Sequence, residues 1–398
     1  MQLRDYFTHI LPKSPLYAAI WRGWIDPINP LTLTFSVTPA CQSRCLTCHI
    51  GDRFAANPRL VEQNLSLEEI ETAFRSLGPI YFFNLSGGEP FMRPDLPEII
   101  HLACIHLKPR LIHIPTNALD PKGIENKTLA ILKILERHAP YASLSIKPSV
   151  DGVGERHDTI RGVPGNFKAL TDTLKRLLGL QEQYHKLHVD LGTVISIHNI
   201  DHLDDLEKWV HSQGVESYRH EIAEERFEFH NIGDTITPDA DTYARLIHRF
   251  KQNIIANIGH KRRLTRITEA VRLVYYDLAL RIIRENRQVT PCLGGISNIH
   301  LNYNGDLWPC CVLGSDHSMG NLRYFNGDMH RVLNSDTARR TRQFIKEGGC
   351  ACPLNNQWMN NILLSPRWMV RVALRLLQLT LITTNRKSRC ADNSTPSR

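Results

Sequence analysis

The chain runs to 398 residues, 42% of them hydrophobic, 22% charged and 8% aromatic, with a formal charge of +8. Such values exclude a disordered, collagen-like or coiled-coil chain, and the length corresponds to two domains or one large α/β domain with an appendage. The mild positive excess suits nucleic acid, anionic lipid or a phosphorylated substrate equally, so it selects none of them.

The opening stretch MQLRDYFTHILPKSP carries a charge at Arg4 and no uninterrupted apolar core, unlike a secretory signal. Residues 1–30, with Trp21, Trp24, Pro27 and Pro30, read as an N-terminal extension. From LTLTFSV (31–37) onward, short apolar runs alternate with helical patterns. Strands are predicted at IYFFNLS (80–86), LIHIPT (111–116), ASLSIKPSV (142–150) and HVDLGTVIS (188–196). Helices are predicted at LSLEEIETAFRSL (65–77), KTLAILKILERH (127–138) and FKALTDTLKRLLGL (167–180). This alternation is that of βαβ units and a parallel sheet, whose site lies at the C-terminal ends of the strands. The core is expected over 31–235. A helical linker follows over 236–288, containing one long helix at 264–287 whose arginines form a solvated face. A second domain spans 289–356, with a hairpin signal at Asn304-Gly305 inside SNIHLNYNGDLWPCCVL (297–313). Residues 357–398 form a basic amphipathic helix and a tail whose last dozen residues read as disordered. No uncharged apolar run approaches the roughly 18 residues that a membrane-spanning helix needs. Ten cysteines without an export signal point to reduced thiols in the cytoplasm, where clustered cysteines bind metal more often than they form disulfides.

Three of them, Cys41, Cys45 and Cys48 in CQSRCLTC, follow the first predicted strand. Thiolates favour zinc or iron–sulfur clusters. A structural zinc site closes with four ligands, and His49, next to Cys48, is an awkward fourth. A four-iron cluster on three thiolates instead leaves one iron open to an outside ligand. The C-x3-C-x2-C spacing resembles the signature of radical S-adenosylmethionine (SAM) enzymes. Three further segments match that family in order. The second strand runs into Ser86-Gly87-Gly88-Glu89-Pro90, which the resemblance assigns to the methionine amino group of SAM. The third ends in Thr116-Asn117, with Ala118 where the family has glycine. SVDGVGERHDTIRG (149–162) carries Ser149, Asp151 and Arg161, implied to hold the ribose and carboxylate region. The next strand brings Val194 and Ile195 near adenine. Thr47 stands where the family has an aromatic residue. His157-Asp158 reads as a loop-ordering pair rather than a catalytic one. The resemblance implies a partial (β/α)6 TIM-like barrel. It also implies a SAM-bound [4Fe-4S] cluster, reductive cleavage to a 5′-deoxyadenosyl radical that abstracts hydrogen from substrate, and an electron donor such as flavodoxin or ferredoxin.

Late in the chain, Cys292 and Cys310, with Gly305 between them, resemble the opening of the SPASM domain and its shorter relative, the twitch domain. Cys350 and Cys352 then complete four thiolates for one auxiliary [4Fe-4S] cluster in a C-terminal α+β domain. A zinc ribbon on the same residues is the other reading. Cys311, adjacent to Cys310, reads as a packed thiol, and Cys104 and Cys390 stand apart. In PRWMVRVALRLLQLTLITT (366–384), Arg367, Arg371, Arg375 and Gln378 form a polar stripe opposite Trp368, Val372, Leu376, Leu379 and Ile382. That apolar side either lies in an anionic membrane surface or docks on its own domain. The expected substrate is a peptide or protein to be modified, with a lipid or lipid-linked sugar as the second reading. A non-catalytic zinc or iron–sulfur binding module is the reading from another class. No nucleic-acid partner is expected, since no stretch interleaves basic and aromatic residues.

Overall fold

Apolar runs of five or six residues make strands, and the longer patterns with helical spacing cover them. The computed structural model describes residues 3–258 and 263–392. They fall into two units: 20–238 with 293–347, and 1–19 with 239–292 and 348–398.

In the larger unit, β1 (Thr32–Ser36), β2 (Phe82–Ser86), β3 (Leu111–Thr116), β4 (Ser143–Pro148), β5 (Leu187–Ile195) and β6 (Ser217–Ile222) lie side by side in chain order, all parallel. Every residue of β1 is buried, as expected of a parallel strand covered on both faces. Helices Leu67–Leu77, Leu96–His106, Pro121–His138, Asn166–Gln183 and Leu203–Ser212 connect the strands. Ser66 begins the first of these. Its hydroxyl accepts from the Glu69 amide (3.2 Å) while the Glu69 carboxylate accepts from the Ser66 amide (2.8 Å), a capping box worth about 1 kcal/mol.

The sheet is the expected partial barrel, and it is not closed. β7 (Asn298–Leu301), the first arm of the predicted hairpin, pairs parallel with β1. β8 (Asp306–Trp308) and β9 (Gly320–Asn321) follow antiparallel, giving nine strands in the order β6-β5-β4-β3-β2-β1-β7-β8-β9. The second cysteine region therefore begins by extending the core sheet. Sequence patterning missed β6, whose SYRHEI is too polar to read as a strand, and the helices Leu96–His106 and Leu203–Ser212.

In the smaller unit the long helix is observed at Arg263–Glu285, and a terminal helix, Pro366–Asp392, packs along it. Trp368, Val372 and Leu379 are buried. The Trp368 indole donates to Thr290 Oγ1 (3.2 Å), and Arg375 pairs with Asp277 (3.1 Å). The apolar side singled out from sequence thus docks on its own unit; the Ile382 side chain lies outside the described residues. The helix also continues to Asp392 through part of the stretch expected to be disordered, and 393–398 lie outside the described residues. Among the described residues no helix is long and apolar enough to cross a membrane.

Candidate active site

All the sequence motifs of the core meet at the C-terminal ends of β1 to β5. The loop after β1 carries Cys41, Cys45 and Cys48, and backbone bonds from neighbouring strand ends hold it. Gly88 N–H donates to Thr38 O (2.8 Å), Glu89 N–H to Ala40 O (2.7 Å), and Arg44 N–H to Arg161 O (3.0 Å). The three cysteines form no disulfide. Burial pushes the Cys41 thiol up to about 12, with the Glu89 carboxylate adding to it, and raises those of Cys45 and Cys48. Cys48 feels the charges of both Cys45 and Cys41, and Arg161 works the other way on Cys41 and Cys45. Three soft donors on one half-exposed loop, reluctant to ionise until a cation takes them, fit a cluster that needs three thiolates. His49 turns elsewhere, its Nε2 lying 2.7 Å from Asp234. Zinc closure through it is not the arrangement seen.

The turn after β2 fits against that loop with no space for side chains. Gly87 has φ 111°, and a Cβ on Gly88 would stand 2.1 Å from the Ala40 carbonyl oxygen. Glu89 is fully engaged within the protein. Its Oε1 accepts from Thr116 Oγ1 (2.9 Å) and Phe91 N–H (3.1 Å), and its Oε2 from Asn117 N–H (2.6 Å). Burial raises its carboxyl to about 6. Pro90, also buried, starts the short turn that follows. Asn117 reaches back to the cysteine loop, donating to Ser43 Oγ (2.9 Å) and Gln42 Oε1 (3.2 Å) and lying 3.9 Å from Cys41 Sγ. Ala118 takes the left-handed conformation, φ 62°, that suits the family's glycine at this position better.

After β4, half-buried Ser149 bridges to Thr116 O through its amide (2.9 Å). Asp151 is an organiser: its carboxylate takes Arg161 Nη1 (3.0 Å) and the Val194 amide (2.9 Å). The Arg161 side chain faces Cys41 and Cys45, and its Nε is buried without a partner among the described residues. An orphaned guanidinium N–H beside two of the thiols fits a ligand carboxylate. His157 is buried, accepts from the Asp151 amide (3.2 Å) and is pulled down to about 4 by burial and then by Arg161. Asp158 accepts from Gly165 N–H (2.6 Å) and Phe167 N–H (2.7 Å). Both residues order the loop, as expected. Ile195 is buried at the end of β5.

Sequence reading missed a buried cluster on the floor of the site. Glu228 Oε1 accepts from Ser36 Oγ (3.0 Å) and Ser86 Oγ (2.8 Å), and Ser36 Oγ also lies 2.7 Å from His300 Nε2. Ser86, predicted to contact SAM, therefore has its hydroxyl turned to Glu228. Ligand atoms of Glu228, His300 and Cys311 lie within 4.8 Å of one another. The Glu228 amide donates to Cys311 O (3.3 Å), which binds the loop after β6 to the segment after β8. A cavity of about 470 Å³ opens beside Gly87 and Gly88, lined also by Arg53, Glu228, Asn302, Tyr303, Asp306 and Trp308. No periodicity marks these residues, which come from five separate stretches of chain. Of the second cysteine group, Cys292, Cys350 and Cys352 belong to the smaller unit and Cys310 to the larger. Gln288 Nε2 lies 3.5 Å from Cys350 Sγ.

A model of the radical SAM superfamily matches residues 35–210, and one of an iron–sulfur cluster-binding domain, SPASM, matches 292–353. Among curated proteins the chain is similar to the antilisterial bacteriocin subtilosin biosynthesis protein AlbA of Bacillus subtilis. The two are 22% identical over 323 residues, which are 79% of this chain and 62% of AlbA. It is also similar to an AdoMet-dependent heme synthase of Oleidesulfovibrio alaskensis, 25% identical over 307 residues, covering 73% of this chain and 71% of that protein. Its fold is similar to that of Streptococcus suis SuiB bound to precursor peptide SuiA, with a TM-score of 0.54 and 16% identity, covering 81% of this chain and 68% of that one. The chain thus spans less than two thirds of AlbA's length.

Proposed function

Since the chain belongs to the radical SAM superfamily and carries an iron–sulfur cluster-binding domain after the core, we propose that this S-adenosylmethionine-dependent enzyme modifies a peptide or protein. The catalytic cluster is assigned to Cys41, Cys45 and Cys48. SAM is assigned to the Gly87–Gly88 backbone, Ser149 and Arg161, with Asp151, Asn117 and Glu89 positioning them. When bound, the cluster and SAM would supply one-electron reductive cleavage of SAM, the electron coming from an outside donor, and hydrogen-atom abstraction from substrate. Arg161, held by Asp151, offers its fork to a carboxylate, and the glycine turn allows close approach to backbone. Cys292, Cys310, Cys350 and Cys352 are assigned to the auxiliary cluster on their sequence spacing. The domain limits drawn from sequence, 31–235 and 289–356, are proposed as the functional division. Family membership sets aside the non-catalytic binding module.

The observation that supports a peptide is the cavity beside the glycine turn. Arg53, Asn302, Asn304 and Asp306 line it beside Ile50, Leu60 and Trp308, a lining that offers hydrogen-bonding groups for backbone amides together with apolar contacts for side chains. AlbA is named for the biosynthesis of the bacteriocin subtilosin, and SuiB is bound to the precursor peptide SuiA, which points the same way. Anaerobically reconstituted, dithionite-reduced protein should release 5′-deoxyadenosine from SAM, and precursor-peptide fractions should stimulate it. Stimulation by lipid extracts with none by peptides would replace this reading with the lipid one.

A further inference from the structure

We infer that the outward face of the terminal helix, Pro366–Asp392, is a docking surface for an anionic lipid bilayer. The inference is independent of which substrate the site takes. One side of this helix is already satisfied, with Trp368, Val372 and Leu379 buried. On the other side Val370 is 61% exposed, Leu374 55%, Leu377 61% and Leu381 63%. At about 100° per residue these four fall within an arc of about 60° directly opposite the buried face. The chain therefore presents two apolar stripes on one helix, and its own fold consumes only one. An exposed line of large aliphatic side chains of this kind marks an interaction surface.

Charge selects the occupant. Arg367 and Arg371, both exposed, run along one edge of the stripe. Between Pro366 and Ala391 the sequence holds no carboxylate, while Arg386, Lys387 and Arg389 follow Arg375. A second copy of this helix would set arginines against arginines with no acidic partner. A surface of negative headgroups over hydrocarbon satisfies both the edge and the stripe. More exposed apolar residues occur in the same unit, Phe7 (59%), Leu11 (38%) and Leu16 (43%). Their segment is tied to the turn just before the helix by Tyr6 Oη to Leu363 O (3.3 Å) and Ser14 Oγ to Leu364 O (2.5 Å). The membrane-facing residues are thus not the stripe that sequence periodicity first singles out; they lie on the opposite side of the helix.

The test is co-sedimentation of the cluster-loaded full chain with vesicles of phosphatidylcholine plus phosphatidylglycerol, and with phosphatidylcholine alone, alongside its mass by light scattering. Wild type should sediment with the anionic vesicles and do so about tenfold less well at high salt or without phosphatidylglycerol. The quadruple variant Val370→Ser, Leu374→Ser, Leu377→Ser, Leu381→Ser changes only exposed side chains. It should keep its iron content and melting temperature and lose vesicle binding. Arg367→Glu with Arg371→Glu should weaken binding while leaving the stripe intact. Absence of wild-type binding, or binding untouched by the quadruple variant, overturns the inference. So does a wild-type dimer that the quadruple variant converts to monomer, because the stripe is then a contact between copies. None of these readouts depends on turnover.

Discussion

Gly88→Ala probes whether the cysteine loop owes its position to the glycine turn. Gly88 does not have a positive φ, so backbone strain is not involved and the effect comes from space alone. The new Cβ would lie 2.1 Å from the Ala40 carbonyl oxygen and 2.6 Å from its carbonyl carbon, against an ordinary contact of at least 3.4 Å. Loop and turn must separate by more than 1 Å, which breaks the bonds from Gly88 N–H to Thr38 O (2.8 Å) and from Glu89 N–H to Ala40 O (2.7 Å). Leaving two buried backbone pairs unmade costs about 2–6 kcal/mol, at the lower end a factor of about thirty in the occupancy of the native loop. The assay is iron and sulfide per chain after anaerobic reconstitution, with 5′-deoxyadenosine formation as a second readout. The variant should lose about one four-iron cluster and its SAM cleavage, and keep auxiliary iron. Gly179→Ala, with nothing within 4 Å of its Cβ, is the control and should behave as wild type. Full iron loading with wild-type SAM cleavage in Gly88→Ala would refute the reasoning.

Asp151→Asn removes the charge that holds Arg161 at 3.0 Å; SAM affinity, read by equilibrium dialysis, should fall about tenfold or more while iron stays constant. Cys310→Ala should lose auxiliary iron, whereas Cys311→Ala should retain all iron, and equal losses would show that Cys311 is a ligand. Cys45→Ala should abolish 5′-deoxyadenosine release and spare the auxiliary cluster. His157, held down to about 4, is neutral in the folded chain and protonates more readily when unfolded. The unfolded state therefore binds more protons between about pH 6.5 and 4, and stability falls as pH drops through that window, by about 3 kcal/mol in total for this residue. Urea midpoints measured across that range should show the slope, and a flat profile contradicts it.

The cysteine loop, the glycine turn and the loop after β4 could be marked out without coordinates because each is local. Cys41, Cys45 and Cys48 lie in one loop, Gly87–Pro90 in one turn, and Ser149 to Arg161 in one excursion from a strand, so short spacings carry their geometry. The buried cluster beneath the site was not legible. Ser36, Ser86, Glu228 and His300 touch only because parallel strands bring residues as many as 264 positions apart to one end of the sheet, and no period records that. Likewise the hairpin at Asn304-Gly305 could be read, but its pairing with β1 could not, since an edge strand accepts any partner with free backbone groups. The terminal helix shows the limit most directly. Its sequence contains two apolar stripes and a row of arginines, and helical periodicity treats the stripes alike. Only packing against Arg263–Glu285 decides that Trp368, Val372 and Leu379 turn inward, because burial depends on the shape of the surface a helix meets as well as on its own pattern.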